Sequence, residues 1–105
     1  MDRIKLSGED ALLIVDVQND FVSGSLAIPE AETIVPVINR LVATFDHVIA
    51  AQDWHPSGHI SFASAHPGRS TGEMIDVSYG PQRLFNDHCV QGTAGAEFHP
   101  DLELG

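Results

Sequence analysis

Asp53, His55, His59 and His88 are the residues of this chain best equipped for chemistry, because carboxylate and imidazole together suit Zn²⁺ and other borderline divalent ions. Asp53 and His55 are separated only by Trp54, so an extended backbone aims both side chains the same way. Pro56 and Gly58 then break the run and bring His59 round on a loop, and His88 offers a third imidazole. The same positions also read as unrelated polar loop residues, since an Asp-x-His pair is a weak signal by itself. Asp16 is the other carboxylate of interest. It falls near the end of the apolar run 11–17, where burying a carboxylate without a partner is costly. Its alternative role is to cap the following loop through Gln18 and Asn19.

Two strands must position these groups. Residues 11–17 form a continuous apolar run, the signature of a central parallel strand buried on both faces. A second short strand over 47–52 ends just before Asp53. Between them, Pro29, Glu30 and Glu32 open a helix with acidic residues in its first turn. Ile34, Val35, Ile38, Leu41, Val42 and Phe45 recur at three- and four-residue spacing and give that helix one apolar face. Pro36 moves the start of the regular helix to near Thr33. Strand, helix, strand is a right-handed parallel unit. Asp16 and Asp53 therefore end neighbouring strands on one edge of a sheet, the edge at which open parallel sheets bind ligands.

The rest is less regular. Residues 1–10 are polar and read as lightly packed, and 19–25 as a turn-rich loop in which Phe21 is either an aromatic beside a site or a hydrophobic plug. Residues 60–63 are compatible with one helical turn, 66–72 with a loop, 73–79 with a short strand or flap, and 80–82 with a turn. Residues 88–95 hold a histidine, a thiol and two glycines, enough for a tight loop beside a metal. Two parallel strands and one good helix cannot cover both faces of a doubly wound sheet. The expectation is therefore an incomplete α/β unit: residues 1–105 as the N-terminal part of a single doubly wound, Rossmann-like domain whose sheet something else completes.

Composition narrows the function classes. The 105 residues are 43% hydrophobic, which suits one globular domain, and they carry fifteen acidic against five basic side chains for a formal net charge of -10. That balance disfavours nucleic-acid or anionic-membrane partners, which need clustered basic residues. Cys89 is the sole cysteine, so no disulfide forms within the chain, and a reducing compartment, the cytoplasm, is expected.

Three ordered motifs now carry a resemblance. Ile14-Val15-Asp16-Val17-Gln18-Asn19-Asp20-Phe21 resembles the opening of the isochorismatase-like cysteine hydrolases. Gln52-Asp53-Trp54-His55-Pro56 with His59 and Ser61-Phe62-Ala63, and then 87–93 (Asp-His-Cys-Val-Gln-Gly-Thr), resemble the nicotinamidases (pyrazinamidases) of that superfamily. The resemblance implies a proton-accepting Asp16, metal ligands Asp53, His55 and His88 with His59 as a looser fourth, and a divalent metal, most simply Zn with Fe or Mn as alternatives. It further implies that Phe21 packs against a pyridine ring. A second ring-stacking position, usually tryptophan followed by proline, is here Phe85 followed by Asn86. The triad of the family also needs a lysine and a nucleophilic cysteine. No lysine follows Lys5, and Cys89 falls at a non-nucleophilic position of the metal-loop motif. The reading is thus the N-terminal half of a nicotinamidase that acts in NAD salvage once a second polypeptide, or the missing C-terminal half, supplies Lys and Cys. Another amidase of the superfamily, or a non-catalytic metal-binding module, are the alternatives.

Overall fold

β1 (Ala11–Val15) and β2 (His47–Ala51) pair in parallel, from Ala11 opposite His47 to Val15 opposite Ala51, in the computed structural model, which describes residues 5–104. The connection between them passes through a short helix α1 (Asn19–Val22), a 3₁₀ turn (Ala31–Thr33) and the helix α2 (Ile34–Val42). Pro36 is accommodated in the first turn of α2, where its missing N–H would have no intrahelical acceptor anyway. The helix stops at Val42, short of the Phe45 that the apolar spacing reaches.

The core lies between α2 and one face of the strand pair. Ile14, Val17 and Val35 are its fully buried members, and Leu12, Ile38, Val42, Val48, Ala50 and Leu102 pack around them. Leu102 arrives from the far end of the chain because Asn39 on α2 clamps that segment. Its amide donates to the Asp101 carbonyl (2.8 Å) and its oxygen accepts the Glu103 N–H (2.8 Å).

The opposite face of the pair is open. Leu13, Val15 and Ile49 are 60%, 57% and 56% exposed, so the expectation of a strand buried on both faces holds for only one of them. The physical reason is that alternate residues of a strand face opposite ways, and among the described residues the packed core lies against one face only.

The second half is held by irregular backbone around a small hairpin of β3 (Met74–Val77) and β4 (Gly80–Arg83). β3 confirms the strand expected within 73–79. Residues 80–82, expected as a turn, are instead β4, and the reversal is made at Ser78 and Tyr79. A two-stranded ribbon has free edges, so Pro81 can sit opposite Asp76 without breaking an inner ladder. Two further expectations shift. The loop over 19–25 begins with α1, and the helical turn expected over 60–63 is a 3₁₀ turn at Ala63–Ala65. The expectation for residues 1–4 lies outside the described residues. Among the described residues no helix is long and apolar enough to cross a membrane.

Candidate metal centre and active site

Asp53, His55 and His88 converge. Each offers one ligand atom, and these atoms lie within 4.8 Å of one another, the one such group among the described residues. His55 Nε2 is 3.5 Å from Asp53 Oδ1, and His88 Nε2 is 3.5 Å from Asp53 Oδ2. The other ring nitrogens are committed elsewhere: His55 Nδ1 lies 3.2 Å from the His88 carbonyl and His88 Nδ1 2.7 Å from the Asn86 carbonyl. A carbonyl only accepts, so both Nδ1 atoms carry a proton, and in the neutral ring each Nε2 turns its lone pair toward the carboxylate. That is the tautomer in which paired imidazoles ligate a metal, with the outer hydrogen bond fixing each ring. The donor set therefore fits a divalent cation.

Local backbone explains the convergence. Asp53 follows β2 directly, and the His55 N–H donates to the Cys89 carbonyl (2.8 Å) while the Gln91 N–H donates to the His55 carbonyl (2.8 Å). This is a short parallel bridge between His55 and Val90 that brings the His88 loop alongside. Phe62, fully buried, is the floor: its ring centroid lies 5.1, 5.7 and 5.4 Å from those of His55, His59 and His88. Sequence reasoning gave Phe62 no role beyond its place in a motif, because an aromatic in a loop announces packing only once its neighbours are known.

His59 lies beside the group rather than in it. Its ring centroid is 4.8 Å from that of His55, and its Nδ1 accepts the Ser61 N–H (3.2 Å) with the Ser61 hydroxyl at 2.7 Å. Phe21 and Phe85 flank His88, with ring centroids at 5.6 and 6.0 Å.

Asp16 stands at the C-terminal end of β1, its N–H donating to the Ala51 carbonyl (3.0 Å) and so extending the ladder by one residue. There its φ is +61°, a left-handed conformation that costs a non-glycine residue of order 1 kcal/mol and recurs at functional sites. Asp16 and Phe21 line one small pocket of about 190 Å³ with Val22, Ile28, Ala31 and Ile34. Burial pushes the Asp16 carboxyl above its ordinary range, the Asp53 charge adds to that, and hydrogen bonding from the Asp53 backbone opposes both. An acid made more basic in this way is better suited to accept a proton.

Cys89 is a different kind of group. It is fully buried, and burial together with the charges of Asp53, Asp20 and Asp16 pushes its thiol up to about 12. The thiolate is the nucleophile, so a thiol held neutral in this way does not attack.

Two residues that the motif reading left without a role hold this arrangement. Gln18 is fully buried and clamps the Asp53 peptide from both sides, donating to its carbonyl (2.8 Å) and accepting its N–H (2.9 Å). It also donates to the Ala96 carbonyl (2.8 Å). Asp20 accepts the N–H of Cys89 (2.8 Å). A polar side chain just after a strand end was the available signal for both.

Residues 10–105 match the isochorismatase domain family. The chain belongs to that family. This isochorismatase-family chain is 50% identical over 103 residues to the nicotinamidase of Acinetobacter baylyi, an alignment that covers 97% of this chain and 48% of the relative. Among solved structures it superposes on a nicotinamidase–pyrazinamidase of Acinetobacter baumanii with a TM-score of 0.88 at 52% identity, covering 94% of this chain and 48% of the other. It also superposes on the pyrazinamidase of Pyrococcus horikoshii in complex with zinc, with a TM-score of 0.65 at 38% identity over 89% of this chain and 46% of that one. The chain spans about half the length of the curated relatives it matches. The α/β fold read from the sequence, as the N-terminal half of an isochorismatase-like domain, agrees with these likenesses.

Proposed function

We propose that this chain is the metal-binding, proton-accepting N-terminal half of a nicotinamidase, and that a segment or second polypeptide beyond these residues supplies the lysine and the nucleophilic cysteine. The observation that carries the reading is the convergence of Asp53, His55 and His88 beside Phe21 and Phe85, at the sheet edge where Asp16 follows β1. The apolar surface of Leu13, Val15 and Ile49 supports a completing half, because a parallel sheet is ordinarily covered on both faces.

In this reading Asp16 takes the proton of the incoming thiol while the lysine ammonium stabilises the thiolate. The sulfur attacks the amide carbonyl, the C–N bond breaks, and the departing nitrogen leaves as ammonia with the proton that Asp16 held. Water then cleaves the thioester, releasing nicotinate and restoring the thiol. Asp53, His55 and His88 would hold the metal, with His59 at its margin, and Phe21 and Phe85 would pack against the heteroaromatic ring. Zinc suits two imidazoles and a carboxylate best, with iron or manganese as alternatives. When bound, the metal would give the pyridine nitrogen a positively charged anchor. Such an enzyme belongs in NAD salvage, and we place it in the cytoplasm because Cys89 stands as a free thiol.

A substrate panel tests the assignment. The complete protein is expected to release ammonia from nicotinamide and pyrazinamide. Release from other amides alone would move it elsewhere in the superfamily, and metal uptake with no release would make it a binding module. His55→Ala is expected to lose the metal and weaken substrate binding; unchanged metal content would remove His55 from the ligand set.

A further inference from the structure

We infer that Asp20 is a positioning residue for the metal centre: its carboxylate fixes the His88–Cys89 peptide, and through it the two histidine ligands. The inference rests on the assignment of Asp53, His55 and His88 as ligands.

Asp20 sits on α1, remote in sequence from the 88–95 loop, yet its Oδ2 accepts the Cys89 N–H at 2.8 Å. Its other oxygen receives the Ser25 N–H at 3.3 Å, which turns the carboxylate to face the loop. Cys89 is held at both ends, because its carbonyl accepts the His55 N–H at 2.8 Å. It needs to be held, since its φ of +49° is one that side-chain-bearing residues rarely adopt. The chain is also shaped around this carboxylate. A Cβ on Gly95 would stand 2.2 Å from Oδ2, and one on Gly24 would stand 2.3 Å from Oδ1. Neither glycine has a positive φ, so what these positions require is close approach to Asp20 and not backbone freedom.

The consequence reaches the ligands by two short routes. His88 precedes the pinned peptide and its carbonyl lies 3.2 Å from His55 Nδ1, so a shift of this peptide rotates one ring and releases the other. Gln18 holds the Asp53 peptide in the same manner, so the one turn after β1 anchors the backbone on both sides of the cluster. Partners of this kind typically contribute 10- to 100-fold to metal affinity.

The test is Zn²⁺ affinity by chelator competition in the complete protein, with the visible spectrum of the Co²⁺ form as a readout of ligand geometry. Asp20→Ala is expected to weaken Zn²⁺ binding by about 10- to 100-fold and to alter the Co²⁺ spectrum. Asp20→Asn keeps one acceptor oxygen and is expected to recover most of both. Gly95→Ala displaces the carboxylate without removing it and is expected to weaken Zn²⁺ binding as well, which decides the matter if Asp20→Ala does not fold. Val35→Ala, a cavity in the core under α2, should lower the melting temperature and leave Zn²⁺ affinity unchanged. Wild-type affinity in both Asp20→Ala and Gly95→Ala, or an Asp20→Asn protein as weak as Asp20→Ala, would overturn the inference. A wild-type protein that binds no divalent metal would overturn the ligand assignment itself.

Discussion

At the scale of single residues, the site separates three acidic groups by what surrounds them. Asp53 faces two imidazoles, Asp20 faces backbone N–H groups, and Asp16 is left partly buried with another carboxylate nearby. The carboxyl of Asp16 is pushed upward by this burial, and the sign of its effect on stability follows. Below its ordinary value of 3.8 both folded and unfolded chains keep it protonated. As pH rises above that value the unfolded chain releases its proton first, so stability falls until the folded group has ionised too. Asp16→Asn is therefore expected to raise the melting temperature at neutral pH and flatten this part of the pH profile. In the complete enzyme it should cut turnover by at least about 100-fold with metal content unchanged. Loss of metal in that variant would show that Asp16 belongs to the ligand set. Cys89 gives a parallel prediction. Its contribution is complete below the ordinary thiol value of 9.0 and is lost as pH rises towards about 12, and iodoacetamide should label it only after denaturation. Rapid labelling of Cys89 in the native state would contradict its burial. Residue types and spacing brought Asp53, His55 and His88 into view from the sequence. Gln18, Asp20 and Phe62 stayed without roles because each acts on a partner far along the chain.

At the scale of elements, β1, β2 and α2 were legible because each obeys one dominant pattern, an apolar run or a helical stripe. α1 was not, because four residues are too few to show a period, and two of its N–H groups bond to Gln18, outside the helix. β4 was missed because Gly80 and Pro81 are turn signals that a free-edged hairpin tolerates. The two faces of the strand pair then make opposite predictions. Val35→Ala opens a cavity in the only packed face and should cost about 2 kcal/mol by chemical denaturation. Leu13→Asp falls on the exposed face and should leave metal binding intact while impairing association with whatever covers that face. Equal effects of the two substitutions would mean that the faces do not differ.

At the scale of the whole molecule, the shape is that of a partial fold. A radius of gyration of 16.9 Å exceeds the roughly 13 Å of a compact domain of this length, and the extents are 51 × 27 × 25 Å. Among the described residues few side chains are fully buried, and large apolar ones lie open on the sheet. The relatives are about twice as long. The sequence foretold this shortage of covering elements, since one amphipathic helix cannot serve two sheet faces. The proposed enzyme keeps Asp16 and its metal ligands within these residues and its lysine and cysteine nucleophile elsewhere. Ammonia release from nicotinamide, measured on purified material whose polypeptides are identified by intact mass, tests this arrangement most directly. Activity should appear only in material that includes lysine- and cysteine-bearing sequence beyond these residues, and should vanish with Asp16→Asn while metal remains. Hydrolysis by a lone 11.3 kDa chain, or none by the complete protein with its metal bound, would contradict it.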